Sequence, residues 1–285
     1  MSRERSQDRA RPADRFDPLL GPERSRDFAE ALNEARRRIS GHTLWCVNST
    51  EQGGGVAEML SSILGYLVGA GISTRWVVIE GDEEFFNVTK RLHHLLHGEP
   101  GNGVPTGADP AVADLTMAGT MAHRSITHRT MADRTAADCT IYERCTDAAG
   151  RQLLDLISPG DPVILHDPQT LGLLPILANR GAPVVWSCHV GADRPNDFTR
   201  AAWDFLRAYL AEASAYVFSR PQYAWEGLDL DRTAVIPPCV DAFSPKNQVL
   251  DDATVAAILR TCGLIPGGPE GAATYVRQDG TLASV

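Results

Sequence analysis

The stretch from Asn48 to Leu60, NSTEQGGGVAEML, does most to restrict what this chain can become. Ahead of it, Thr43 to Val47 (TLWCV) is apolar and strand-like. Behind it, Val56 to Val68 carries apolar residues at helical spacing. Between them, Gly53, Gly54 and Gly55 permit positive φ and let the backbone come close to a bulky group. A strand, a glycine turn and a helix start present unpaired amides and the positive end of a helix dipole, which suits an anion, most often a phosphate. The pattern is neither G-x-G-x-x-G nor G-x-x-x-x-G-K-S/T, so on these residues alone a plain βα turn of small residues stays open.

The same alternation runs on down the chain. Thr74 to Ile79 (TRWVVI), Pro162 to Leu165, Pro183 to Cys188 (PVVWSC), Ala215 to Ser219 (AYVFS) and Ala234 to Pro237 (AVIP) read as strands, several apolar at nearly every position, as parallel strands covered on both faces are. Helical patterns fall between them: 83–96, about 141–157, about 170–179, 197–213 with Asn196 or Asp197 as cap, and 251–262. This predicts an α/β fold, a Rossmann-like doubly wound, mostly parallel sheet. In such sheets ligands bind beyond the carboxyl ends of the strands. Asn48, Glu51, His166, Asp167, His189, Asp193, Ser219 and Arg220 all follow strand ends, which favours a functional reading of the glycine turn.

Three regions read differently. Residues 1–25 are arginine-rich and nearly free of large apolar side chains, and are expected to be a disordered tail, with a short amphipathic helix from Asp27 to Ile39. Residues 99 to about 137 repeat TMA at Thr116, Thr120 and Thr130 and read as a low-complexity, flexible insertion. Residues 264–285 have linker composition. The expected domain thus spans 26–263.

A net charge of −9 argues against a general nucleic-acid or anionic-membrane binder. No apolar run reaches the length of a membrane span, and the charged N-terminus lacks an apolar signal core, so a cytoplasmic protein is expected. Six scattered cysteines without CxxC suit reduced thiols rather than a disulfide or zinc framework.

In this order, NSTEQGGGVAEML, FFNVTKRLHHLLHG, ILHDPQTLGLLP, VVWSCHVGADRPN, YVFSR and VIPPCVDAFSPKN resemble the N-terminal half of retaining GT-B glycosyltransferases of family four, of the trehalose glycosyltransferring synthase type. The resemblance covers about Thr43 to Gly263. It implies a single GT-B N-terminal, acceptor-side domain, and transfer of glucose from a nucleoside diphosphate glucose to glucose with retained configuration. It also implies a C-terminal domain that holds the nucleotide and supplies a basic pair. Residues 264–285 are expected to lead toward that domain. Without it, the departing diphosphate lacks much of its stabilising charge, and this chain alone is expected not to turn over. A truncated, non-catalytic sugar-binding or dimerising module is the alternative. Nucleoside diphosphate glucose and glucose or trehalose are the implied ligands, with a homodimer or a separate C-terminal domain as possible protein partners. The sugar nucleotide being a substrate, no cofactor and no metal are expected. A nicotinamide oxidoreductase on the same layers would need the absent G-x-G-x-x-G.

By this resemblance Gly53, Gly54 and Gly55 hold the donor diphosphate. His189 and Asp167 lie at the reaction centre, and Glu58, Lys90, His93, His166, Gln169, Asp193 and Asn196 contact the acceptor sugar. Each has a plainer reading. Glu58 is a carboxylate favoured by the helix dipole, Gln169 can cap the following helix, and either histidine can be a satisfied turn residue. Arg220 suits an exposed ion pair as well as an anion. Thr89, Lys90 and His93 match the family's T-K-x-x-H pattern, while His94 and His97 stand where Asn and Gln are frequent. His93 and His97 are four apart, as zinc ligands can be, but HHLLH lacks the glutamate of H-E-x-x-H.

Overall fold

All five residues of the run Leu44–Asn48 are buried, which a strand achieves only when both of its faces are covered. The computed structural model describes residues 3–4, 10–51, 54–100, 122–244, 247–267, 274–276 and 282–284. In chain order its elements are β1 (Arg3–Glu4), α1 (Asp17–Arg38), β2 (Leu44–Asn48), α2 (Gly55–Gly69), β3 (Thr74–Val78), α3 (Glu83–Leu96), α4 (Ala122–Leu154), β4 (Val163–His166), α5 (Asp167–Thr170) and α6 (Leu174–Asn179). There follow β5 (Val184–Cys188), α7 (Asp197–Leu206), β6 (Ala215–Phe218), β7 (Thr233–Val235), α8 (Asp252–Thr261), β8 (Thr274–Val276) and β9 (Leu282–Ser284). They form two compact units, one of Met1–Arg5, Ile39–Glu51 and Arg75–Pro237, the other of Ser6–Arg38, Gln52–Thr74 and Pro238–Val285.

The first unit is built on a sheet of order β1-β3-β2-β4-β5-β6-β7. Its last six strands are parallel and β1 joins β3 antiparallel. This is the doubly wound α/β sheet expected from the sequence. The strand order reverses between β2 and β4, the place where such sheets open a crevice for ligands. Register aligns the carboxyl ends there: Val47 opposes Leu165, His166 opposes Ser187, and Cys188 opposes Phe218. One apolar core runs through this unit, with Phe85, Val88, Leu92 and Leu96 from α3, Tyr142 and Leu153 from α4, and Trp186 and Phe218 from the sheet. Asp161 ties down the amino-terminal side of the sheet, accepting from Thr43 N–H at 3.0 Å, Trp45 Nε1 at 3.1 Å and Ser158 N–H at 3.2 Å.

In the second unit α2 buries Ala57, Leu60, Leu64 and Tyr66. Phe16 packs on Tyr66 (centroids 4.9 Å) and Phe243 (5.3 Å). The carboxylate of Asp241 accepts from Ser62 Oγ at 3.0 Å, Tyr66 OH at 3.1 Å and Phe243 N–H at 2.9 Å, with Arg11 Nη1 at 3.5 Å. Arg11 N–H donates to Gly65 O at 2.8 Å. Gly69 leaves the chain no choice here, since a Cβ on it would lie 1.9 Å from Arg11 O.

In three regions the described elements differ from the composition-based expectation. Besides β1, a helical turn at Ala13–Phe16 and the start of α1 fall inside the tail expected to be disordered, and within α1 Pro22 restarts the helix after the positive-φ Gly21 (φ 76°). The helix expected near Ile141 begins at Ala122, so the low-complexity stretch is helical from there on, and 101–121 lie outside the described residues. Within 264–285, β8 and β9 form an antiparallel pair where a linker was expected. Among the described residues no helix is long and apolar enough to cross a membrane.

Candidate functional site

The chain leaves β4 through His166, which caps α5 without a side-chain bond of its own, and Pro168 follows in the first turn. Asp167 takes φ 62°, the one non-glycine residue with positive φ among those described. A left-handed aspartate costs free energy unless its surroundings hold it there. Three bonds do so. Its Oδ1 accepts His189 N–H at 2.8 Å, its carbonyl accepts Trp186 Nε1–H at 3.1 Å, and Thr170 Oγ reaches the same carbonyl at 3.3 Å. Behind the turn, the buried hydroxyl of Tyr142 donates to Pro168 O at 2.6 Å and accepts Gly172 N–H at 2.8 Å.

His189 follows β5. Its Nδ1 lies 3.1 Å from Ser219 Oγ, just past β6, and its Nε2 lies 3.2 Å from Ser187 Oγ and 3.4 Å from His166 Nδ1. The two imidazoles are nearly parallel, 13° apart with centroids at 5.7 Å. His166 is buried, and its Nε2 has no hydrogen-bond partner. Whichever tautomer is present, that nitrogen keeps an unused lone pair or N–H, which a buried polar atom ordinarily passes to water or ligand. Burial, and then the neighbouring His189, lower the His166 pKa from 6.5 to about 3, so the ring is neutral near pH 7. The Asp167 carboxyl is raised by burial, against the opposing pull of His189. The result is a neutral imidazole, a second imidazole between two hydroxyls, and a carboxyl group on three adjoining strand ends. These are donors and acceptors suited to a polyhydroxyl ligand.

The remaining expected residues fall in several places. Gln169 is partly buried on α5. Lys90 is exposed and His93 half-buried on α3, a helix that packs against α5 and α7. Asp193 is exposed and pairs with Arg220 Nη1 at 2.9 Å, the ion-pair reading of that arginine. Asn196 caps α7, its Oδ1 accepting from Phe198 and Thr199 N–H at 3.0 and 3.1 Å, while its Nδ2 donates to Gly98 O at 2.8 Å. Its Oδ1 thus caps α7 while one N–H of its amide links that cap to Gly98, just past α3.

In the second unit, Gly54 is extended ahead of α2 and accepts Glu58 N–H at 3.1 Å. Gly54 has no side chain with which to cap the helix, so it leaves the first amides of α2 uncapped by a side chain of its own, the groups an anion site uses. Glu58 is partly buried in the first turn, and Gly53 lies outside the described residues. Among the described residues no three His, Cys, Asp or Glu side chains gather as a metal cluster. Sequence reasoning missed Ser187 and Tyr142. Ser187 sits inside a strand pattern, and Tyr142 is an ordinary apolar position of a helix; only their partners, 2 and 26 residues away, reveal them.

The family model described as the trehalose synthase N-terminal domain matches residues 46–109 and 108–225. Trehalose synthase of Pyrococcus horikoshii is 30% identical over 238 residues, 84% of this chain and 49% of that protein. Trehalose synthase of Thermococcus litoralis is 30% identical over 250 residues, covering 84% of this chain and 50% of its own length. For Rubrobacter xylanophilus trehalose synthase the identity is 30% over 233 residues, 80% of this chain and 48% of the relative. The chain spans about half the length of the curated relatives it matches. With HDPQ, SCHVG and the glycine turn all inside the matched residues, this chain belongs to the trehalose synthase N-terminal domain family.

Proposed function

We propose that this chain is the acceptor-side part of a retaining, GT-B-type glucosyltransferase, passing glucose from a nucleoside diphosphate glucose to glucose, with the nucleotide held by a separate or further domain. The observation that carries this reading is the buried, unpartnered Nε2 of His166 beside His189 and Asp167. In this reading His189 and Asp167 orient and polarise a sugar hydroxyl at the reaction centre. His166, Gln169, Lys90, His93, Asp193 and Asn196 contact the acceptor in the first unit, and in the second unit the amides at Gly54 and Gly55, with Glu58 in the first turn of α2, suit an anion such as the donor diphosphate. Relatives named trehalose synthase support the substrate class.

The test is to mix the chain with nucleoside diphosphate glucose and glucose, with and without a separately expressed C-terminal domain from a relative, and to assay trehalose. Formation only with that domain present, lost about a hundredfold or more in His189→Ala, is the expected result. No product in either arm overturns the reading. Calorimetric glucose or trehalose binding without turnover would instead mark a sugar-binding module.

A further inference from the structure

His93 and His97 stand one turn apart on α3 and at its end, a spacing that puts both on one helix face. Their Nε2 atoms are hydrogen-bonded at 3.2 Å, so one of them carries the shared proton that an ion would displace, and the ring centroids are 4.7 Å apart. Two imidazole nitrogens bound to one cation at about 2.0–2.1 Å lie about 2.9 Å from each other at a right angle and about 3.3 Å at the tetrahedral angle. The observed separation falls inside that span, so both nitrogens reach a common ion with little movement. His97 is exposed, which leaves the approach open. Burial first, then His97 and His94, hold the His93 ring toward its neutral form, the form that ligates. The neighbouring His94 is drawn aside, its Nδ1 3.2 Å from Glu99 Oε2.

We propose that His93 and His97 form a two-point imidazole chelate for a borderline divalent cation of the zinc, nickel or copper kind. No third His, Cys, Asp or Glu among the described residues joins them in a larger cluster, so water fills the remaining coordination positions. The missing glutamate of H-E-x-x-H removes hydrolytic zinc chemistry, not chelation. Because His93 also belongs to the acceptor contacts proposed above, a bound cation would compete with sugar for it. The chelate itself does not rest on that reading.

Calorimetric titration of the full chain with zinc chloride, in the absence of sugar, tests it. One micromolar site is expected, weakened at least about tenfold in His97→Gln and again in His93→Gln, and unchanged in His42→Gln. The exposed His97→Gln variant decides the matter if His93→Gln fails to fold. Absence of binding, or parental affinity in His97→Gln, overturns the proposal.

Discussion

The backbone N–H of His189 donates to Asp167 Oδ1 at 2.8 Å, so the first residue beyond β5 is held by the residue that opens the turn beyond β4. That bond is available because Asp167 sits at φ 62°. Asn is among the residues that best tolerate this conformation, and it keeps an amide oxygen as acceptor. Asp167→Asn should therefore cost under about 1 kcal/mol, and Asp167→Ala, which loses the acceptor and keeps the strain, about 2–3 kcal/mol. Urea unfolding of the two variants measures the gap; equal losses would show that the carboxamide-type acceptor is not what holds the turn.

Acid should loosen the fold through His166. The unfolded chain takes up a proton near pH 6.5, whereas folded His166 resists it until about pH 3. Its contribution is therefore fully present above pH 6.5 and is lost as pH falls toward 3, with a limiting slope of about 1.4 kcal/mol per pH unit. Asp167 acts in the opposite sense. Its raised carboxyl holds a proton that the unfolded chain releases near 3.8, so it subtracts stability as pH rises past that value. Urea unfolding at stepped pH should show a shallower acid loss in His166→Gln than in the parent. An unchanged slope would mean that the folded ring takes up its proton near the ordinary value.

Tyr142 supports the site from outside it. Tyr142→Phe keeps the ring but strips two buried backbone groups, Pro168 O and Gly172 N–H, of their partner. A loss of about 2–4 kcal/mol is expected, since each buried group left unpaired costs about 1–3 kcal/mol. The unfolding midpoint reads this directly, and a neutral result would show that water replaces the hydroxyl.

Asp241 does comparable work in the second unit. Asp241→Ala frees Ser62 Oγ, Tyr66 OH and Phe243 N–H from the carboxylate they share. Amide hydrogen exchange should speed up in α2 and around Phe243 by about tenfold or more, while β4 and β5 keep their protection. Uniform acceleration across both units would contradict a local role.

Much of this was readable beforehand. Strands such as Val184–Cys188 announce themselves because both faces of a parallel strand are buried, and the rule that ligands gather at carboxyl ends picks out His166, Asp167 and His189. What stayed hidden depends on tertiary neighbours. No pattern signals that Asp167 is left-handed, nor that His189 lies between the hydroxyls of Ser187 and Ser219, 2 and 30 residues away. At the amino end, an arginine-rich run with few large apolar residues reads as disordered, yet a helix crosses it, with Pro22 at home in the first turn after Gly21. In α4 a run poor in large aliphatics reads as a loop, although alanine, arginine and methionine are strong helix formers.

The indole of Trp186 is completely buried, lies edge-on to Trp203 and Phe218, and gives its N–H to the carbonyl of Asp167. The chain therefore carries an intrinsic fluorophore wired to the backbone of its own candidate site. Any event that rearranges the turn after β4 must alter the polarity that this indole senses, and would register as a shift in emission without any attached label.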